Sequence, residues 1–289
     1  MGRVRGRDPR GEGKTIANVI RRYIAHPDYR NLAARTRADY DKRLEFLTEK
    51  IGALEPRMVE RHHVIRWRDQ WAEAKSSHEA NYRLAVLKII FEQAKNFGLL
   101  RKSDENPAKS VKAVRYEKRE RQPWPQAKID AFRSKATART LLAFELLIGT
   151  GQRIADVLAM KWSDLEDGGI KVRQNKTGKV LWVPLTPHLR AALDAAERRS
   201  IFILTNERGS APWSYRGAHQ AVMKVRREIG AEDHDIHSLR YSAASELLIL
   251  GADDDVIAAI TGQSPEMVRH YTKGTRQKVR ALKAKELRK

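Results

Sequence analysis

The chain has 289 residues, of which 41% are hydrophobic, enough to build a real core in one large domain or two ordinary ones. It contains no cysteine, which excludes disulfides, thiolate metal sites and a cysteine nucleophile. Its formal net charge is +21, for which a polyanionic partner, nucleic acid first, is the simplest explanation; a generally basic, ribosome-associated protein is the bland alternative.

The charge is shared along the chain. Residues 1–122 carry 29 Lys and Arg against 17 Asp and Glu, a net +12, and residues 123–289 carry 28 against 19, a net +9. Two basic modules suggest a protein that grips DNA from both sides. No apolar run approaches the length of a membrane span, and the basic start lacks the apolar stretch of a signal peptide, so a cytoplasmic protein is expected.

In chain order, residues 1–13 are rich in Gly and Arg and read as a flexible basic tail. Residues 14–105 read as an all-helical domain. Ile16, Val19, Ile20, Tyr23 and Ile24 follow helical spacing, and Thr36 is placed to cap a second helix carrying Tyr40, Leu44 and Leu47. Val64, Ile65, Trp67 and Trp71 predict a third helix. A fourth, with the clearest apolar stripe, runs through Ala80, Leu84, Leu87, Ile90, Phe91 and Ala94 and ends near Gly98. Residues 106–122 are charged and poor in apolar side chains, the texture of an exposed basic linker.

Pro123-Trp124-Pro125 opens a second domain, 123–289. Two helices are predicted within 126–148, with a break at Gly149-Thr150-Gly151 and a further helix from about Gln152. Gly168-Gly169 opens a short β-hairpin with Ile170, Val172, Val180 and Trp182 as its alternating apolar positions and Lys176-Thr177-Gly178 at the turn. Helices are predicted again at 187–199, 215–229, 238–250 and 253–260. No Gly-rich phosphate loop, HExxH motif or metal-ligand cluster of His and carboxylates occurs.

Five residues then stand out by setting and order: Arg153 after a Gly turn, Lys176 in the hairpin turn, His237 and Arg240 as His-x-x-Arg, and Tyr271 near the end. Metal-free attack on a phosphodiester needs fixed cations at the non-bridging oxygens, a nucleophile, a base for it and an acid for the leaving oxygen. Arg153 and Arg240 suit the oxygens, because guanidinium is planar, always charged and able to fork onto phosphate. An ammonium such as Lys176 can protonate a departing alkoxide, with Lys179 the competing candidate. His237 can take the proton of a phenol, which at its free pKa of about 10 is mostly protonated at neutral pH. Singly, each residue has an ordinary alternative: a surface charge, a solvated turn lysine, a helix-cap histidine or a packing tyrosine. His234, Tyr215 and Tyr241 are the rival residues of matching type.

The local phrases Leu146-Leu147-Ile148-Gly149-Thr150-Gly151-Gln152-Arg153, Lys176-Thr177-Gly178, Val183-Pro184-Leu185 and Asp235-Ile236-His237-Ser238-Leu239-Arg240 resemble those of the tyrosine recombinases, the phage-integrase family, over essentially residues 14–275. The resemblance implies a mainly α fold with a small β-hairpin or sheet: a helical core-binding (SAM-like) domain, then a tyrosine-recombinase catalytic domain of the DNA breaking-rejoining fold. It implies a site of Arg153, Lys176, His237, Arg240, Gln263 and the nucleophile Tyr271, with no cofactor and no metal. Where the family usually has His after the last Gly, this chain has Gln263, which can donate a hydrogen bond but cannot carry a proton. Asp156 resembles the acidic residue that steadies the Arg153 region.

The implied activity is site-specific recombination through a 3′-phosphotyrosyl link, with double-stranded DNA attachment sites as partner. The implied assembly is a homotetramer on synapsed DNA, coupled through residues 274–289 and aided by accessory DNA-bending or excision proteins. The spacing from Gln263 to Tyr271 predicts a tight tyrosine loop shaped by Pro265. An integrase of a prophage or genomic island is the expected role. A dimer-resolving recombinase, and a decayed integrase that only binds DNA, are the alternatives. A type IB topoisomerase and a metal-dependent transposase are less well matched.

Overall fold

The computed structural model describes residues 13–101, 103–117 and 120–288. The basic tail expected over 1–13 lies, apart from Gly13, outside the described residues. The chain divides into two compact units, Met1–Lys118 and Arg119–Lys289. Among the described residues no helix is long and apolar enough to cross a membrane.

The first unit is helical because its apolar residues recur every three or four positions. Helix α1 (Ile16–Ala25) is capped by Thr15, whose hydroxyl accepts from the Asn18 amide, and buries Ile16, Val19, Ile20 and Tyr23. A single turn, α2 (Pro27–Arg30), follows it. Helix α3 (Ala34–Ile51) begins two residues before the cap expected at Thr36; Ala33 holds the N-cap position and gives no side-chain bond. Burial of Leu44, Leu47 and Ile51 therefore holds this helix, and capping chemistry does not. Helix α4 (Arg61–Ala74) starts at a reciprocal cap between Glu60 and His63. Helix α5 (Ser77–Asn96) is capped by Ser76 and runs through the middle, packing Leu84, Leu87, Ile90 and Phe91 against α1, α3 and α4.

The linker expected over 106–122 is corrected in its first part. Ala108 and Val111 are buried in the core of the first unit. Asn106 donates to Lys88 O at 2.9 Å, and Asn81 exchanges two hydrogen bonds with Val114, Nδ2 to O at 2.9 Å and N to Oδ1 at 2.8 Å. Charge along 101–122 hid two small apolar residues and Asn106, which with Asn81 of α5 pin the segment along that helix. Lys118 and Arg119 lie outside the described residues.

The second unit is built on the apolar helix α7 (Ala138–Thr150). Against it lie α6 (Gln126–Lys135), the one-turn α8 (Ile154–Val157), α9 (Pro187–Asp194), α10 (Tyr215–Glu228) and α11 (Ser238–Ile249). Phe132 stacks on Phe144 with centroids 4.0 Å apart, and Trp124 meets both edge-on. Trp124 also reaches α11: its amide donates to Ser242 Oγ and its indole to Asp235 O.

Three antiparallel strands, β1 (Leu165–Glu166), β2 (Gly169–Arg173) and β3 (Val180–Pro184), form a sheet in that order, with Ile170 opposite Val183 and Val172 opposite Leu181. The inward face of β3 is not the one its alternation suggested. Val180 and Trp182 are 48% and 46% exposed, while Val183 is buried. The run Val180-Leu181-Trp182-Val183 is apolar at every position, so alternation cannot choose a face; pairing with buried Ile170 and Val172 does. Trp182 instead lies across Gly169, where a Cβ would come within 2.3 Å of the indole.

Helix α12 (Asp254–Thr261) ends at left-handed Gly262. Helix α13 (Pro265–Glu286) then runs unbroken for 22 residues. This corrects one expectation, the tight tyrosine loop: Tyr271 sits inside a helix, and the residues from 274 to 286 continue that same helix. Ser264 caps it, Pro265 occupies its first turn, and Val268, Tyr271 and Thr272 bury one stripe against α11 and α12.

Candidate active site

The site gathers where α7, α11, α12 and α13 converge. Gly151 ends α7 in the left-handed conformation, φ 62°, with Ala243 and Thr261 crowding the space a side chain would need. The chain turns there, so Gly151 O points at α11 and Arg153 becomes the N-cap of α8.

Arg240, in the first turn of α11, is 2% exposed. It donates from Nη1 to Gly151 O at 2.5 Å and from Nη2 to Thr261 O at 2.7 Å, bridging the ends of α7 and α12. Burial, then the nearby Arg153 cation, pulls its guanidinium down to about 10, so it stays charged at neutral pH. Arg153 Nη1 lies 3.8 Å from Asp156 Oδ2, and both atoms are buried without a hydrogen-bond partner among the described residues. Two guanidinium groups that disfavour each other, with donors unused, make a site for an anion.

His237 is the N-cap of α11, and its Nε2 lies 2.8 Å from the Tyr271 hydroxyl. Burial, then the Arg121 cation, pushes its pKa down to about 4. The imidazole is therefore neutral at pH 7, and with its proton on Nδ1 it accepts from the phenol. Tyr271 is 9% exposed and stacks on Tyr241, centroids 3.9 Å apart and planes 11° from parallel. Tyr241 thus serves as the packing surface for Tyr271. Gln263 is 7% exposed, and both atoms of its amide lack a partner among the described residues.

Lys176 stands exposed in the β2–β3 turn, and among the described residues it makes no hydrogen bond or ion pair. The turn itself is anchored, because the Asn175 amide donates to Asp156 Oδ1 at 2.8 Å. Of the rival residues, His234 packs against Trp124 and contacts Gln122 O, away from Tyr271. Tyr215 is exposed beside His219 on α10.

Sequence reasoning passed over Arg121 and Asp235. Arg121 Nε donates to Asp235 Oδ2 at 2.7 Å, while Asp235 Oδ1 accepts from Ser238 N and Oγ. Burial pushes the Asp235 carboxyl up, but hydrogen bonds from Arg121 and Ser238 outweigh it and hold the group below its usual range. Arg121, Arg153, Tyr215, His219, His237 and Arg240 line a cleft of about 360 Å³. Arg121 lay in a run of charges of both signs with nothing local to single it out; only its partner Asp235, two residues before His237, marked the place.

A buried arginine, a second and partly exposed one, and a tyrosine held by a neutral histidine form an arrangement suited to phosphoryl transfer. The Phage integrase family model matches residues 126–278, and the chain belongs to that family. The integrase of Enterobacteria phage 434 is 50% identical over 50 residues, 17% of this chain and 14% of that protein. Prophage integrase IntE of Escherichia coli K12 is 28% identical over 188 residues, 63% of this chain and 50% of that protein. The chain thus spans half or less of the length of these curated relatives. In fold it is similar to a lambda integrase dimer bound to a COC′ core site, with a TM-score of 0.78 and 21% identity over 89% of this chain and 77% of that one. It is also similar to the Tn1549 transposon integrase in complex with circular intermediate DNA, with a TM-score of 0.72 and 17% identity over 89% and 94%.

Proposed function

We propose that the protein is a site-specific tyrosine recombinase, the integrase of a prophage or genomic island, that cuts and rejoins DNA through Tyr271. The observation that carries the reading is the 2.8 Å contact between the Tyr271 hydroxyl and neutral His237, beside Arg153 and Arg240. A DNA phosphate seated between the two guanidinium groups relieves their repulsion and uses their free donors. The unpartnered amide of Gln263 supplies a further hydrogen bond to a phosphoryl oxygen, in place of the family's usual histidine.

In the reaction, the Tyr271 oxygen forms a bond to phosphorus as the bond from phosphorus to the 5′-oxygen breaks. The phenolic proton passes to His237 Nε2. Lys176 delivers a proton to the departing 5′-oxygen, leaving a 5′-hydroxyl and a 3′-phosphotyrosyl link. Attack by a 5′-hydroxyl from a second duplex reverses these steps and rejoins the strands. Arg153 and Arg240 hold the charge that grows on the non-bridging oxygens, the largest contribution to such a reaction. In this reading the first unit is the core-type DNA-binding domain, and four copies act on synapsed attachment sites. The basic second half of α13 contacts a neighbouring copy, and accessory bending or excision proteins set direction.

The test uses nicked duplexes drawn from the DNA flanking the gene, incubated with the protein in EDTA and resolved in SDS. An SDS-resistant adduct with wild type and none with Tyr271→Phe is the expected result. Equal adduct with Tyr271→Phe removes Tyr271 as nucleophile. Tight binding with no adduct on any selected site would favour the second reading, a DNA-binding protein on an integrase scaffold, for which Gln263 is the specific argument.

A further inference from the structure

The steps above leave Gln174 without a role, although it is fully buried at the end of β2. A buried amide is costly unless its hydrogen bonds are made. This one makes three. Nε2 donates to Gln152 Oε1 at 2.6 Å and to Thr261 O at 3.0 Å, and Oε1 accepts from Thr177 Oγ1 at 2.8 Å. Its backbone closes the turn as well: its N–H donates to Lys179 O, and its carbonyl accepts from the Gly178 amide, both at 2.8 Å.

These bonds join two things that the chemistry needs in register. On one side is the turn that carries Lys176, held through Thr177 by Gln174 and through Asn175 by Asp156. On the other is the frame of the two arginines. Gln152 immediately precedes Arg153 and donates to Thr150 O and Ile260 O. Thr261 O is the same carbonyl that accepts from Arg240. The approach is close: a Cβ at Gly262 would fall 2.4 Å from Gln174 Nε2, and φ there is +68°.

We propose that Gln174 is a positioning residue, which locks the Lys176 turn onto the frame of Arg153 and Arg240 so that the lysine ammonium meets the leaving oxygen of the phosphate those arginines hold. The proposal rests on the recombinase reading above. A lysine on an exposed turn spreads its ammonium over many rotamers, and general-acid catalysis works only when donor and leaving atom are held together. The arginines act on non-bridging oxygens and Lys176 on the bridging one. Loosening the turn therefore harms the leaving-group step and spares the rest.

The experiment compares adduct formation on a nicked site with an ordinary phosphodiester and on the same site with sulfur in place of the bridging 5′-oxygen, since a thiolate departs without a proton. Gln174→Leu keeps the volume and removes the amide. Thr177→Val removes one bond from an exposed residue and guards against misfolding in the buried variant. On the ordinary substrate Gln174→Leu slows cleavage by about tenfold or more and Thr177→Val by about threefold, while both come within about twofold of wild type on sulfur. Arg240→Ala, the control, stays slow on both. Equal slowing of the folded Gln174→Leu or Thr177→Val protein on the two substrates overturns the inference. Lys176→Ala separates the failures. If sulfur restores Lys176→Ala but neither turn variant, the inference falls and the recombinase reading stands. If sulfur fails to restore Lys176→Ala while Tyr271-dependent adducts form, the lysine's role falls and the inference with it. No Tyr271-dependent adduct on either substrate overturns both.

Discussion

Replacing Arg240 with alanine should separate its structural part from its chemical part, because the structure bounds the first. The side chain makes two charge-assisted bonds, to Gly151 O and Thr261 O. Thr261 O keeps a second donor, Gln174 Nε2, so the substitution leaves one carbonyl, that of Gly151, newly without a partner. An orphaned buried carbonyl costs about 1–3 kcal/mol. Part of that is returned, since the charged guanidinium is held in a poorly solvated place, as its pKa of about 10 reflects. The net loss of stability is set at about 1–2 kcal/mol, and a domain with about 5–15 kcal/mol to begin with remains folded. Transition-state stabilisation should fall further, by about 3–4 kcal/mol or roughly 10²–10³-fold in cleavage rate. Urea unfolding gives the first quantity and single-turnover adduct formation on a nicked site gives the second. Arg240→Lys should recover part of the rate, because it restores charge without the fork. Cleavage by Arg240→Ala within about threefold of wild type, in protein shown to be folded, would refute the phosphate-site assignment.

Three further outcomes are expected. Tyr271→Phe should bind DNA like wild type and melt within a few degrees of it, because the stack on Tyr241 survives the loss of one hydroxyl; weaker binding by that variant in a gel-shift assay would contradict a purely chemical role. In the free protein, NMR should find His237 titrating near pH 4, below its ordinary value of 6.5. Between those values the unfolded chain binds more protons than the folded one, so this group makes stability rise with pH; its penalty appears below pH 6.5 and is complete near 4. A His237 titration near 6.5 would refute the burial argument and with it the neutral acceptor. DNA affinity should fall with salt at a log–log slope of about −0.9 per phosphate neutralised, and a flat response would contradict a grip through the basic charge of both units.

What the chain could reveal unaided was the order of its elements and the residue types of a candidate site. Helical spacing marked α1, α4, α5 and α10 because each presents a stripe to one core, and that periodicity is written locally. Arg153, His237, Arg240 and Tyr271 stood out as candidates because each has a distinctive setting: a Gly turn, a His-x-x-Arg pair, a tyrosine near the end of the sequence. Their meeting was not local. Residue 237 touches residue 271 only because α11 and α13 pack together, and Arg240 reaches Gly151 across 89 positions of sequence. The same holds for what was misjudged or missed. The inward face of β3 is decided by its register with β2, since every residue of that run is apolar. The Tyr271 loop became a helix because Ser264 and Pro265 start one and α11 offers Val268 and Tyr271 a surface to bury against. Arg121 and Gln174 have no signature along the chain, because a hydrogen-bond partner more than twenty or a hundred residues away leaves no periodic trace. Residue types and short spacings fix which reactions a chain can perform; which side chains share a low-dielectric cleft, and so which of them are neutral, charged or free to bind, is decided only when distant segments exclude water from one another.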